Sequence, residues 1–338
     1  MSTIAVNAIT DANAGNTTSI NGVTPNSSNV VGKNKIINGN FDFWQRGTTA
    51  SYSVQSSQYL SDRWHMRTTA TANVTTSRQS FTVGQTDVPN NPKYFYRWDI
   101  TSHTTGTGIL EQRIEDVSTF AGNTFTLSFW AKCNSSQTMS TAYQQIFGTG
   151  GSATVTRTGL SCSLTTSWQK FTHTFTLPSI SGKTIAGGND YLNIRFNMPN
   201  AVCTVDIAQV QIEAGSAATE FEHRPYGTEL SLCQRYYFRT ASIASYPTVA
   251  IGYLNTSTQA NFSFQFPVEM RASPSSSYSG CRIRYQGGSG TISGIASTFA
   301  SSSHAELGIT TSSIPTGYPV GLQINGNATN FVAFSAEL

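Results

Sequence analysis

A chain of 338 residues is long enough for two domains of ordinary size, and its 11% charged residues are less than half the share of about 25% usual for soluble domains. Hydrophobic residues reach only 38%, so Ser, Thr, Asn, Gln and Gly fill the deficit; that balance fits β-structure with a hydroxyl- and amide-coated surface and argues against disorder driven by charge. A net charge of +3 with no basic cluster leaves no footprint for nucleic acid. No apolar run of about 18 residues could insert in a membrane, and the N-terminus lacks the charged-then-apolar layout of a secretory signal.

Residues 1–33 hold no aromatic residue, and their aliphatics stand singly or in pairs. Such a segment cannot bury enough apolar surface to fold alone. The alternation in IAVNAI predicts an extended N-terminal arm that adds strands to a partner through backbone hydrogen bonds. Next comes NKIINGNFDFWQRGTTASYSVQSSQYLSDRW, residues 34–64. Its polar turn at Asn38, Gly39 and Asn40 leads into alternating Phe41, Phe43 and Gln45, a pattern that predicts a strand entering a sheet. Two Trp and two Arg in so uncharged a chain suggest indole faces packed beside guanidinium groups, with Asp62 close enough to pair one of them. A structural corner of a β-sandwich is the expectation for this stretch.

From 34 to 225, alternating runs such as YFYRWDIT, GILEQRIEDV, TFTLSFWAKC, WQKFTHTFTL, DYLNIRFNM and CTVDIAQVQIE succeed one another, separated by Gly-, Pro- and Asn-rich turns. Eight or nine such strands without a convincing amphipathic helix predict an all-β jelly-roll sandwich. TLSFWAK should cross the middle of a sheet, and His173 should line the core or a groove. VDIAQVQIEAG is apolar in part only, which predicts a half-exposed strand. EFEHRPYGTE reads as a linker wrapping from one domain to the next. Over 226–338, ELSLCQRYYFR suggests a helical turn leading into a strand, and the short runs beyond it predict a second, smaller β-sandwich-like domain. Its last strand, Phe331 to Leu338, has an edge that must be paired or covered.

Taken together, ING-N-F…WQRG and the later DRW, VDIAQVQIEAGSAATEFEHRPYGTELSLCQRYYFR (205–239) and FPVEMRASPS (266–275) resemble, in that order, a module of tailed-bacteriophage fibre and receptor-binding proteins that carries a carbohydrate-binding-like jelly roll. The resemblance implies a virion protein, usually a homotrimer, attached through residues 1–33 to another virion protein. It further implies recognition of a host cell-surface glycan by a short tail fibre or receptor-binding protein, or alternatively a capsid-decorating head fibre or cement protein with a projecting jelly roll. Residues 226–338 would then be the trimerisation or receptor-binding region.

No enzyme is expected. The 17 acidic residues cluster closely only at Glu111, Glu115 and Asp116, on a run that alternates as a strand, and no triad context, P-loop or dinucleotide fingerprint is present. Five cysteines (Cys133, Cys162, Cys203, Cys233 and Cys281) include no CxxC pair and no Cys/His cluster. That argues against zinc and predicts buried free thiols acting as small apolar residues; no metal or cofactor is expected. Sugars are held by aromatic faces with amide or acid groups on their hydroxyls. Tyr94, Tyr96 and Trp98 are the candidate ligand-binding residues, alternating with Phe95, Arg97 and Asp99, and one of those two faces must be core. Tyr236, Tyr237, Tyr253 and Tyr285 are equivalent candidates in the second domain.

Overall fold

A computed structural model describes residues 32–53, 55–69, 72–241, 246–327 and 329–338. Residues 1–31, and with them nearly all of the arm expected over 1–33, lie outside the described residues. The first unit contains β1 (Thr49–Tyr52), β2 (Ser56–Tyr59), β3 (His65–Thr68), β4 (Ala72–Ser80), β5 (Tyr94–His103), β6 (Gly108–Glu115), β7 (Thr124–Cys133), β8 (Gln137–Ile146), β9 (Val155–Leu164), β10 (Gln169–Thr176), β11 (Tyr191–Asn197) and β12 (Cys203–Ala214). They form two six-stranded antiparallel sheets, ordered β1-β4-β5-β12-β7-β10 and β2-β3-β6-β11-β8-β9. From β5 to β8, and again from β9 to β12, successive strands alternate between the sheets, which is the winding of a jelly roll.

The core forms where the apolar faces meet. Leu127, Phe129 and Ala131 of β7 point inward against Leu192, Ile194 and Phe196 of β11, and the Phe129 and Phe196 rings touch edge-to-face at 4.9 Å across the sandwich. Each of the Leu, Ile and Phe side chains contributes about 1.5–3 kcal/mol through burial. His173 faces the same interior, edge-on to Phe129 and Phe175 and hydrogen-bonded to Thr141; burial lowers its pKa. All five cysteines are free and buried, and burial pushes the Cys162 thiol up to about 12.

Two expectations fail here. Phe41 to Trp44 is irregular, not a strand. Asn38 and Phe41 both adopt left-handed backbone, and side chains satisfy the polar backbone that no ladder serves. Phe43 N–H donates to Asn38 Oδ1 at 3.0 Å, and Gln45 N–H to Asp62 Oδ1 at 3.1 Å. Gly39 is required by close approach, since a Cβ there would lie 2.2 Å from the Val210 carbonyl oxygen. The second failure is β12, which is buried on both faces from Val205 to Glu213. Chain segments from either side of the sandwich cover its outer face. Lys35 N–H donates to Ile212 O at 3.0 Å, Thr219 N–H to Glu213 Oε1 at 2.9 Å and Glu222 N–H to Gln211 Oε1 at 2.8 Å. The polar outer residues are therefore sheltered and still satisfied.

The second unit begins with α1 (Tyr226–Gln234), then β13 (Tyr237–Ala241), β14 (Thr248–Thr256), β15 (Gln259–Gln265), β16 (Ser275–Ser279), β17 (Cys281–Tyr285), β18 (Gly288–Ala300), β19 (His304–Thr311), β20 (Val320–Ile324) and β21 (Phe331–Ser335). The smaller β-domain is in detail a closed barrel, β14-β15-β19-β18-β17-β20, beside a three-stranded sheet, β13-β21-β16. Closure leaves no barrel edge, and β21 is paired on both sides. Phe262, Ile283, Leu307, Ile309 and Leu322 fill the barrel, while Phe264 and Phe266 pack on Phe334 with centroids 5.1 and 5.0 Å away. No helix of the described residues is long and apolar enough to cross a membrane.

Candidate functional site

The 34–64 stretch builds the joint between the two units. Trp44 and Trp64 turn into the sandwich core, their indole N–H groups donating to Phe41 O at 2.7 Å and Asn38 O at 3.0 Å. The guanidinium groups face the other way and cover tyrosines of the second unit instead of the indoles. Arg46 lies 3.5 Å from the Tyr237 ring and Arg63 3.3 Å from the Tyr236 ring. Both arginines also reach the Glu337 carboxylate, and Asp62 pairs Arg46 at 3.7 Å. Gln45 Nε2 donates to Asp62 and to Tyr237 O, at 2.7 and 2.8 Å. Burial raises Asp62 to about 6 against the lowering effects of Arg46 and Gln45. This constellation ties the two units together.

The aromatic candidates fare differently from one another. Tyr96 and Trp98 are 1% and 0% exposed and belong to the sandwich core, Trp98 packing so closely that a Cβ on Gly108 would lie 2.8 Å from its Cζ2. The Tyr/Trp face of β5 is thus the inward one, which removes both residues as a sugar platform. Tyr94, at the strand's start, is half-buried under Arg78, whose guanidinium is 4.2 Å from its ring. Tyr236 and Tyr237 are buried in the joint, Tyr285 packs on the barrel core, and Tyr253 is exposed on β14.

A different surface gathers the polar chemistry: the outer face of the second sheet. Its register aligns His65 with Glu111 and Glu111 with Arg195, and beside that row Arg113 with Asn193 and Asn193 with Gln144. Leu110, Leu192, Ile194 and Phe196 take the inward positions, so the alternate residues necessarily face out. Glu111 accepts from His65 Nδ1 at 3.0 Å, Arg113 Nη2 at 3.0 Å and Asn193 Nδ2 at 2.9 Å. Burial alone would raise this carboxyl. The hydrogen bonds from His65 and Asn193 and the charge of Arg113 outweigh it and hold Glu111 at about 2. At one end of the face Tyr59 and Arg113 donate to the Leu338 backbone oxygen, so the second unit closes that end. On the same face three buried atoms have no hydrogen-bond partner: Arg67 Nε, Asn193 Oδ1 and Arg195 Nε. Donation from Nδ2 to Glu111 fixes the orientation of the Asn193 amide, so the orphan is an acceptor.

Such a face can bind a polyhydroxylated molecule, offering donors and an acceptor at fixed positions on rigid strands. The three strands that build it are far apart in sequence, so the site emerges only with the register. One signal was nonetheless present: Asn193, Arg195 and Asn197 alternate with Leu192, Ile194 and Phe196, an unusually polar stripe in so uncharged a chain. Elsewhere, a concavity of about 140 Å3 lies between the Asn38–Asp42 turn and the segment 221–229, near His223 and Tyr226. Burial raises the Asp42 carboxyl there, and Glu229 is already paired with Arg224 at 3.0 Å.

The sequence matches no protein-family model and no curated protein. The solved structures it is similar to include carbohydrate-binding modules and a phage tailspike. The tailspike is the enzymatically active domain of bacteriophage CBA120 tailspike protein 4, with 16% identity, a TM-score of 0.34, and coverage of 54% of this chain and 22% of that one. A family 4 carbohydrate-binding module gives 18% identity and a TM-score of 0.32, covering 53% of this chain and 98% of the module. The CBM22-2 xylan-binding domain from Paenibacillus barcinonensis Xyn10C gives 17%, 0.31, 49% and 98% respectively. The chain is all-β, with a jelly-roll sandwich followed by a smaller β-unit.

Proposed function

We propose that this chain is a phage virion protein, a short tail fibre or receptor-binding protein, whose jelly roll recognises a host surface glycan on the outer face of the second sheet. The observation that carries the glycan reading is the trio of buried, unpartnered polar atoms on that one face, Arg67 Nε, Asn193 Oδ1 and Arg195 Nε. Unsatisfied buried groups cost about 1–3 kcal/mol each, and sugar hydroxyls would satisfy all three. The virion reading is supported by the ordered motifs beginning at INGNF and ending at FPVEMRASPS. Attachment to another virion protein through residues 1–33 rests on the sequence of that segment alone.

The face suits binding better than catalysis. Among its six strands only β6 supplies carboxylates, Glu111 and Glu115. Glycoside hydrolysis generally needs a pair of them, one kept protonated as general acid. Glu111 is held ionised down to about pH 2, and Glu115 is tied to Arg235 at 3.0 Å. The homotrimer would form through the barrel, where Ile251, Tyr253 and Phe299 are 76%, 54% and 68% exposed. Such large exposed apolar groups favour association.

The test combines a glycan array with imaging of particles labelled by an antibody to residues 229–338. Label at the tail or baseplate, blocked adsorption and array binding are expected. Label at icosahedral positions on the head would mean a decoration protein instead, and label on neither would overturn the virion reading.

A further inference from the structure

Building on the glycan reading, we propose that the recognised sugar carries an anionic substituent, a carboxylate or a sulfate, held between Arg67 and Arg195. Charge on this face is out of balance. The outer face of the second sheet presents Arg67, Arg113 and Arg195, in a chain where all charged residues together make up 11%. Of the two carboxylates facing them, Glu115 is taken by Arg235 of the second unit. Glu111 is saturated by His65, Arg113 and Asn193. Arg195 Nε comes within 3.5 Å of Glu111 yet makes no hydrogen bond. The Arg67 side chain has no hydrogen bond or ion pair with any of the described residues, and its Nε is buried. Arg67 is therefore left without a counter-charge, and Arg195 has only a share in Glu111, which His65, Arg113 and Asn193 already occupy.

They are also near each other. Arg67 on β3 aligns with Ile109, and Arg195 on β11 aligns with Glu111, two residues further along β6. That sets their Cα atoms two strands (about 9.6 Å) apart and about 7 Å along the strand axis, a span that two long side chains close from either side. Ile109 lies on the same outer face between them and is only 4% exposed, so side chains cover it. Burial depresses Arg195, and the positive charge of Arg67 depresses it further against the pull of Glu111. Holding like charges together under partial burial is unfavourable unless an anion bridges them. A planar carboxylate or a sulfate oxygen pair matches the guanidinium fork, and Asn193 Oδ1 is positioned to accept from a neighbouring sugar hydroxyl. A neutral sugar would leave Arg67 without a counter-charge and Arg195 with only its share of Glu111.

The test uses the full chain with arginine Nε-labelled NMR and three small probes: glucuronate, sulfate and methyl glucoside. Glucuronate or sulfate should shift the Arg67 and Arg195 signals saturably, with methyl glucoside giving no such response. Whichever anion binds tighter assigns the substituent as carboxylate or sulfate. Arg67→Gln, which removes no hydrogen bond or ion pair within the protein, should weaken that binding at least tenfold, and added NaCl should weaken it progressively. Equal response to glucuronate and methyl glucoside, no response to any probe, or unchanged anion binding by Arg67→Gln would overturn the proposal. A parallel array separates the two readings. Neutral glycans bound equally by the wild type and Arg67→Gln would sink the anionic substituent and leave glycan recognition standing. An array with nothing bound, acidic or neutral, would sink both.

Discussion

Arg63 and Arg67 stand four residues apart and have opposite surroundings. Arg63, 1% exposed, lies 3.3 Å from the Tyr236 ring, pairs with Glu337 and donates to the Arg113 carbonyl oxygen. Only its Nε lacks an acceptor. Arg67 has none of these contacts, yet part of its guanidinium is equally shut away from water. Burying a charge is costly unless partners compensate it. At Arg63 the second domain supplies the compensation, so the residue serves as a bolt. At Arg67 nothing in the described chain does, and under the proposed reading a ligand supplies it. A structural arginine is recognised by the partners it has, and a binding arginine by those it lacks.

If that contrast is right, the two positions respond oppositely to substitution. Arg63→Ala should destabilise the protein by about 3 kcal/mol, because it removes a buried guanidinium from the Tyr236 ring and leaves Glu337 with Arg46 alone. Because Glu337 and Tyr236 belong to the second unit, calorimetry should also resolve two transitions where the wild type shows one. A single, barely shifted transition would mean that the joint is not held by this pair.

The joint can be separated from the sheet face by pH as well. Asp62 is raised to about 6 from its ordinary 3.8. The folded state therefore holds a proton that the unfolded chain releases, and this contribution is fully present below about pH 3.8 and lost as pH rises through about 6. The difference corresponds to about 3 kcal/mol. Glu111, held at about 2 against an ordinary 4.5, acts the other way, and its contribution is lost as pH falls from about 4.5 toward 2. Urea melts should give stability rising from pH 6.5 to about 4.5 and falling below it. Asp62→Asn should flatten the rise and leave the acid limb intact. A flat wild-type profile above pH 4.5 would contradict the picture of Asp62.

How much of this was legible beforehand follows from where the deciding contacts lie. The jelly roll was readable because β7 and β11 alternate cleanly, Leu127, Phe129 and Ala131 facing Leu192, Ile194 and Phe196. In YFYRWD both parities are aromatic or amphipathic, so alternation alone could not say which face was core, and the packing of Trp98 against Gly108 decided it. The burial of β12 depends on partners up to 178 residues away, as in the bond from Ile212 N–H to Asn34. The period-two pattern of FDFW was satisfied by a loop whose left-handed Asn38 and Phe41 leave no trace in hydropathy. The polar stripe on β11 was visible. Its conjunction with Arg67 and Glu111 needed the register of three strands.

The smaller effects test whether the turn and the face are independent of the joint. Gly39→Ala introduces a Cβ 2.2 Å from the Val210 carbonyl oxygen, and backbone on both sides must give way, which costs about 1–3 kcal/mol. Denaturation should report that loss with anion binding at the sheet face unchanged, because the turn touches none of its residues.

Arg67→Gln is the smallest change expected in stability and the most informative. Removing a guanidinium that has no protein partner takes away its repulsion with Arg195 and breaks no bond, so stability should stay within about 0.5 kcal/mol of wild type or rise slightly. Arg195 should then titrate nearer its ordinary range, since Arg67 is one of the groups depressing it. The comparison with Arg63 is sharpest here: two arginines four residues apart, one in a turn and one on β3, one costing about 3 kcal/mol to remove and the other nothing. Should Arg67→Gln destabilise the protein as Arg63→Ala does, Arg67 would be holding the fold. The unpartnered face would then have a structural explanation and no need of a ligand.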